Sequence, residues 1–203
     1  MQQLTKTDYA IGALVGFFTG IAAIPTVYNI GVRDLFILLA LPWVVAPLWA
    51  IGVWFGGFLG RRISFFTEFG KYVAVGFLSA AIDFGVLNVM SMVSGVTAGI
   101  VIGGVNIPGF ILAVINAYLW NRLWVFRAKA SGTGVMADFP KFLAVTIAAL
   151  VINSSIVVGI TTYVPPQFGL ETKQWLNAAK LIGNAVIIVW NFLGYKFVVF
   201  RAK

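Results

Sequence analysis

Phe69-Gly70-Lys71-Tyr72-Val73-Ala74-Val75 and Phe139-Pro140-Lys141-Phe142-Leu143-Ala144-Val145 open two long apolar runs in nearly the same words, 70 residues apart. The runs also close alike. Asn121-Arg122-Leu123-Trp124-Val125-Phe126-Arg127-Ala128-Lys129 and Tyr195-Lys196-Phe197-Val198-Val199-Phe200-Arg201-Ala202-Lys203 stand 74 residues apart. Two apolar segments per copy read as duplicated helical hairpins, residues 69–129 and 139–203, a plan common among membrane transporters.

Working outward, the composition assigns the solvent. Of 203 residues, 61% are hydrophobic and 10% charged, with a mean hydropathy of +0.98. A soluble domain carries about 25% charged residues to cover its surface. This chain cannot cover a water-facing surface, so lipid takes that place. A helical span needs about 20 mostly apolar residues to cross a core of about 30 Å. Six stretches satisfy this, near residues 9–30, 35–60, 69–94, 107–127, 139–164 and 176–200. Each is expected to be a helix, because backbone groups in hydrocarbon must be satisfied within the segment. None shows the alternation of a transmembrane strand. The first span is too long for a cleavable signal peptide and lacks a small-residue cleavage site before Arg33. The expected fold is therefore all-α, a polytopic membrane protein of six transmembrane helices, the last four forming two tandem hairpins.

Charge predicts the orientation. Lys6, Arg61, Arg62, Lys71, Arg122, Arg127, Lys129, Lys141, Lys196, Arg201 and Lys203 fall on one side of the six spans. The other side keeps only Arg33, Lys173 and Lys180 of the 14 basic residues. The positive-inside rule then places both termini in the cytoplasm. The net charge of +8 sits at helix ends, where it marks topology and meets anionic membrane lipids rather than nucleic acid. Lys71, Trp124, Arg127, Lys141 and Arg201 read as cytoplasmic anchors.

Absences narrow the chemistry. The chain has no Cys and no His, which removes disulfides, thiolate nucleophiles, the usual zinc ligands and the commonest general base. Of six carboxylates, Asp8, Asp34, Glu68, Asp138 and Glu171 lie at or beyond span ends, and no two share a helix face within the membrane. Neither a catalytic pair, a metal site nor a cofactor site is expected, and the chain reads as a non-enzyme.

Asp83 departs from that pattern. It lies 12 residues past Lys71, about 18 Å along a helix and so near the bilayer midplane. An ionised carboxylate there costs about 2.5–3.5 kcal/mol on insertion scales unless paired or wetted. Asn153 occupies the matching depth in the second copy. Two readings stand: a functional group facing the bundle interior, or a protonated side chain bonded to a neighbouring helix. Asn116, Asn121 and Arg122 in the first copy, with Asn191 and Lys196 in the second, add polar groups to the later helices. Arg122 offers bidentate donors suited to phosphate, and Lys196 a point charge at the matching place. The alternative for both cations is snorkelling to the interface.

Residues 67–203 resemble the GtrA-like family, four-span membrane proteins associated with sugar transfer to cell-surface polymers. The resemblance rests on Phe69-Gly70-Lys71-Tyr72-Val73-Ala74-Val75-Gly76 leading to Asp83, on Asn121-Arg122-Leu123-Trp124-Val125-Phe126-Arg127, and on the degenerate second copy. It implies flipping of polyprenyl-phosphate-linked sugars across the cytoplasmic membrane, beside a separate membrane glycosyltransferase that loads the sugar. The alternative is a scaffold that anchors and orients the transferase without transport. The second copy departs from the family in reading Tyr195-Lys196 where the family often repeats Asn-Arg. Six spans leave a narrow cavity for a bulky lipid, which raises the expectation of a homodimer.

Residues 1–66 form an additional amino-terminal hairpin ahead of the 67–203 domain and show no resemblance to the repeat. Gly12, Gly16 and Gly20 stripe its first helix, and Gly52, Gly56 and Gly60 its second. Such stripes let helices approach closely, either on each other, on the repeat bundle or across a dimer. Pro25, Pro42 and Pro47 are expected to bend or break these helices.

Overall fold

The computed structural model describes residues 4–95, 101–127, 136–169 and 172–200; for residues 101–106, 150, 153–154, 157–158, 161, 172–181 and 184 it describes the backbone alone. The described residues form six α-helices: α1 Lys6–Asn29, α2 Leu35–Gly60, α3 Phe65–Ser94, α4 Val101–Trp120, α5 Phe139–Tyr163 and α6 Thr172–Gly194. No strand occurs among them. The helix count and all-helical class match the sequence expectation. α1, α2 and α3 are each long and apolar enough to cross a membrane, and apolar stretches continue at Phe139–Ala149 and Ala185–Val199. Phe36 is 82% exposed and Trp43 71%, side chains that only hydrocarbon would accommodate so openly. The protein is a multi-pass membrane protein.

Local chemistry sets the helix ends. Thr5 caps α1 in a capping box with Asp8, satisfying otherwise orphaned backbone donors. Asp34 Oδ1 accepts from the backbone N–H groups of Phe36 and Ile37 at 2.8 and 3.3 Å, fixing the start of α2. α3 stops at Gly95, whose φ of +72° is the left-handed conformation that glycine adopts most readily. The prolines end neither α1 nor α2, which run through Pro25, Pro42 and Pro47. Between the third and fourth spans, α3 extends to Ser94 and α4 starts at Val101, ahead of the expected residue 107, while residues 96–100 lie outside the described part.

α4 and α6 each end in one wide turn of π-helix, Asn121–Val125 and Tyr195–Val199. The same i→i+5 bond closes both, from Phe126 N–H to Asn121 O at 2.9 Å and from Phe200 N–H to Tyr195 O at 2.8 Å. The two turns lie 74 residues apart, the spacing of the sequence closings. Single π turns of this kind frequently mark functional positions.

The chain divides into two compact units, Met1–Arg127 and Ala128–Lys203. The amino-terminal hairpin thus shares one compact unit with α3 and α4. Glycine explains the close packing. A Cβ on Gly16 would lie 2.6 Å from Val45 O, and one on Gly20 would strike the Pro42 backbone, so the first stripe seats α1 on α2. A Cβ on Gly56 would meet Phe66 O at 2.9 Å and Gly70 Cα at 3.1 Å, so the second stripe seats α2 on α3. The stripes therefore face different partners, not each other. In the second unit, Phe142 stacks on Tyr195 at 4.5 Å between ring centroids, and Thr146 Oγ1 and Tyr195 Oη share a 2.9 Å hydrogen bond.

Gly16→Leu is expected to destabilise the protein by about 1–3 kcal/mol through overpacking. Gly52→Ala, whose new methyl meets nothing within 4 Å, should not destabilise it and should add up to about 1 kcal/mol through helix propensity. Thermal melting of the two variants in detergent checks both.

Candidate functional site

The strongest cluster of charge in the first unit centres on Asp8, which is fully buried. Lys71 Nζ donates to its Oδ1 at 2.6 Å, Trp124 Nε1 donates to the same oxygen at 3.1 Å, and Arg127 Nη2 reaches both carboxylate oxygens at 2.6 Å. Thr5 adds its backbone N–H and its hydroxyl, each 2.9 Å from Oδ2. The donors come from separate elements: the N-cap of α1, the early part of α3, the π turn, and Arg127 two residues beyond that turn. Lys71 Nζ also stands 5.8 Å from the Trp124 ring centroid, a cation–π distance. Charge-assisted bonds of this kind are short and strong. They are also the condition for burying a carboxylate at all.

Backbone geometry is spent on the same arrangement. Arg127 has φ +43°, a left-handed conformation that costs a non-glycine residue about 1–3 kcal/mol. That strain is offset by the ion pair it permits. Lys71 and Asp8 side chains are each 1% exposed, whereas that of Arg127 is 36% exposed, so the cluster is open along its arginine edge.

The structure places the other sequence-derived residues as follows. Arg122 is buried, with Nη1 3.3 Å from Tyr118 Oη. Asn121 is also buried and donates Nδ2 to Ala117 O at 2.8 Å. Asn116 Nδ2 donates to Ser79 Oγ at 2.9 Å, and Ser79 in turn donates to Val75 O at 3.0 Å. In the second unit, Trp190 Nε1 reaches the matching carbonyl, Val145 O, at 3.3 Å. Asp83 packs against α4, where a Cβ on Gly109 would lie 3.0 Å from Asp83 Oδ1. That oxygen is buried with no hydrogen-bond partner among the described residues. Neither Lys71 nor Arg122 pairs with it.

In the second unit, Asn191 is half-buried and its Oδ1 lacks a described partner. Lys196 Nζ lies 5.7 Å from the Phe192 ring centroid, and Lys141 is exposed. The Asn153 side chain and Arg201 lie outside the described residues. The structure thus gathers three of the residues read as interfacial anchors, Lys71, Trp124 and Arg127, around a carboxylate that sequence reasoning left at a span end without a role. The signal was present: an acid in the first turn of a span, on the same side as the cations. In the second hairpin Val198 stands at the position of Trp124.

A cleft of about 280 Å³ runs between α2 and α3, lined by Trp49, Gly52, Gly56, Phe66, Gly70 and Val73 among others. Its lining is hydrocarbon, and Gly70 on its wall directly precedes Lys71.

Replacing one member of a buried ion pair strands the other charge, at a cost of about 3–5 kcal/mol. Lys71→Met is therefore expected to lower stability by that amount. Lys141→Met, at the matching place in the second hairpin, should change it by less than about 0.5 kcal/mol. Thermal denaturation of the two purified variants distinguishes them.

Comparison with known proteins places this geometry in a family. Residues 71–200 match the family described as GtrA/DPMS, transmembrane domain. The membrane protein YwcD of Bacillus subtilis (strain 168), described as uncharacterized, is 31% identical over 97 residues, 47% of this chain and 70% of YwcD. A second uncharacterized membrane protein of the same organism, YngA, is 28% identical over 133 residues, 64% of this chain and 78% of YngA. No solved structure matches. With a match that begins at Lys71, ends at Phe200 and takes in Trp124 and Arg127, the chain belongs to the GtrA/DPMS transmembrane-domain family.

Proposed function

We propose that the protein moves polyprenyl-phosphate-linked sugars across the cytoplasmic membrane for cell-surface polysaccharide or glycoconjugate synthesis. In this reading it is a flippase, catalyses no covalent step and works beside a membrane glycosyltransferase. Both termini lie on the cytoplasmic side, and the two late hairpins are a tandem duplication, with the paired π turns in support.

Asp83 is the observation that carries the reading. A carboxylate oxygen buried part-way along a 30-residue helix, with no described hydrogen-bond partner, is costly in a membrane and marks a path for a polar or charged group. It does not stand alone on α3. Lys71 meets Asp8, Ser79 meets Asn116, and Asn88 meets Thr26 and Asn29. From Lys71 to Asn88, these levels cover about 25 Å of helix, most of the depth of a hydrocarbon core of about 30 Å. A phosphate-sugar head group needs such a sequence of polar stations while its isoprenoid tail stays in lipid. The hydrocarbon-lined cleft beside Lys71 suits part of such a tail. In the first unit Arg122 and Asn121 supply groups suited to the sugar phosphate; in the second, taken by itself, Asn191 and Lys196 do.

Reconstitution into vesicles with a labelled short-chain polyprenyl-phosphate sugar tests the proposal. The protein should equilibrate the lipid between leaflets faster than empty vesicles do. Asp83→Asn should slow this about tenfold, equivalent to about 1.4 kcal/mol in the barrier. Equal rates with and without protein, while a glycosyltransferase still co-purifies, would replace transport with the scaffold reading.

A further inference from the structure

The donors around Asp8 exceed what its carboxylate can accept. Two carboxylate oxygens offer about four lone-pair sites, yet five donor atoms make six contacts with them. The donors also divide by origin. Lys71, Trp124 and Arg127 lie within the family match at 71–200, whereas Thr5 and Asp8 come from the hairpin ahead of it. The family domain thus brings two cations and an indole N–H to one point, and the anion between them is supplied from outside that domain.

We infer that Lys71, Trp124 and Arg127 form an oxyanion site for a phosphate group, and that Asp8 is its built-in occupant, which the phosphate displaces. The inference rests on the reading that the protein handles phosphate-bearing lipids, and it assigns the amino-terminal hairpin a role as a plug on that site. The carrier lipid without its sugar is a phosphate monoester, with about −1.5 to −2 charges and three acceptor oxygens, which suits two cations better than a single carboxylate does. Lysine supplies a point charge and arginine a planar fork. Indole Nε1 can only donate, so each of the three groups selects for an anion. The left-handed backbone at Arg127 aims the guanidinium at this point, and its partly exposed side chain is the edge by which a head group enters. Asp8 would then leave with the first turn of α1, whose capping box is its other attachment.

The full chain in nanodiscs, titrated with farnesyl phosphate, inorganic phosphate and farnesol, tests the site. Asp8→Asn should bind farnesyl phosphate at least about tenfold more tightly than the unmodified protein, a change of about 1.4 kcal/mol. Adding Lys71→Gln should remove the gain, and farnesol should bind both proteins alike. A gain confined to farnesyl phosphate assigns the site to a lipid head group; an equal gain for inorganic phosphate assigns it to the free anion. Either result supports the site, and equal affinities of Asp8→Asn and the unmodified protein for both phosphates overturn it. Should Asp8→Asn not fold, hydrogen exchange on the unmodified protein decides: farnesyl phosphate should accelerate exchange across residues 4–12, and unchanged exchange overturns the displacement. A binding gain without transport in vesicles retains the plug and removes the flippase reading. Transport with no binding gain removes the plug alone.

Discussion

A carboxylate enclosed by protein within a membrane bundle is tolerated only while its charge is answered, and Asp8 is answered from three directions. This one requirement ties together the start of α1, the early part of α3 and the residues that close α4. The amino-terminal hairpin is therefore not an appendage to the family domain. Removing Asp8 would leave two cations facing each other near the same point, and removing either cation would weaken the hold on α1. Compactness of the first unit and the charge balance of its end are the same physical fact.

Glycine makes that balance reachable. Asp8 can meet Lys71 and Trp124 only if α1 and α2 lie close enough to α3, and backbone-to-backbone approach at Gly16, Gly20, Gly56 and Gly70 brings them there. Hydrocarbon provides no hydrophobic drive between helices, so the contact energy comes from such tight packing and from polar bonds. The first unit uses both: flush glycine surfaces over most of its length, and hydrogen bonds at a few levels where Ser79, Asn88, Asn116 and Asp8 meet partners. In the second unit Phe142 stacks against Tyr195 where the first has Tyr72 and Asn121.

Much of the fold was legible in the sequence because its signals are additive. Twenty apolar residues declare a span whatever they pack against, and six such runs became six helices with ends close to expectation except at α4, which starts at Val101 rather than near residue 107. The division into units was not legible. It depends on which helices bury their small residues together, and spacing alone cannot say whether Gly56 faces Gly12 or Gly70. Site residues split along similar lines. The depth of Asp83 along α3 was readable, since it is a matter of counting from Lys71. The role of Lys71, Trp124 and Arg127 was not, because their common partner is 63 residues from Lys71 and 119 from Arg127, and Asp8 already had a local explanation as part of a capping box. The π turns escaped for a related reason: one residue more per turn leaves no mark on hydropathy, although it changes where Trp124 and Arg127 point.

That long separation along the chain has a consequence for how the protein is made. Asp8 leaves the ribosome early, and Arg127 follows 119 residues later. At about 5–20 residues per second, the acid waits on the order of 6–24 s for its last partner. Over that interval Lys71 is the first cation of the cluster to appear, 63 residues after Asp8. Completion of this cluster is thus timed by the emergence of the fourth helix, and a nascent chain stopped short of Arg127 holds Asp8 through Lys71 while the arginine edge stays open.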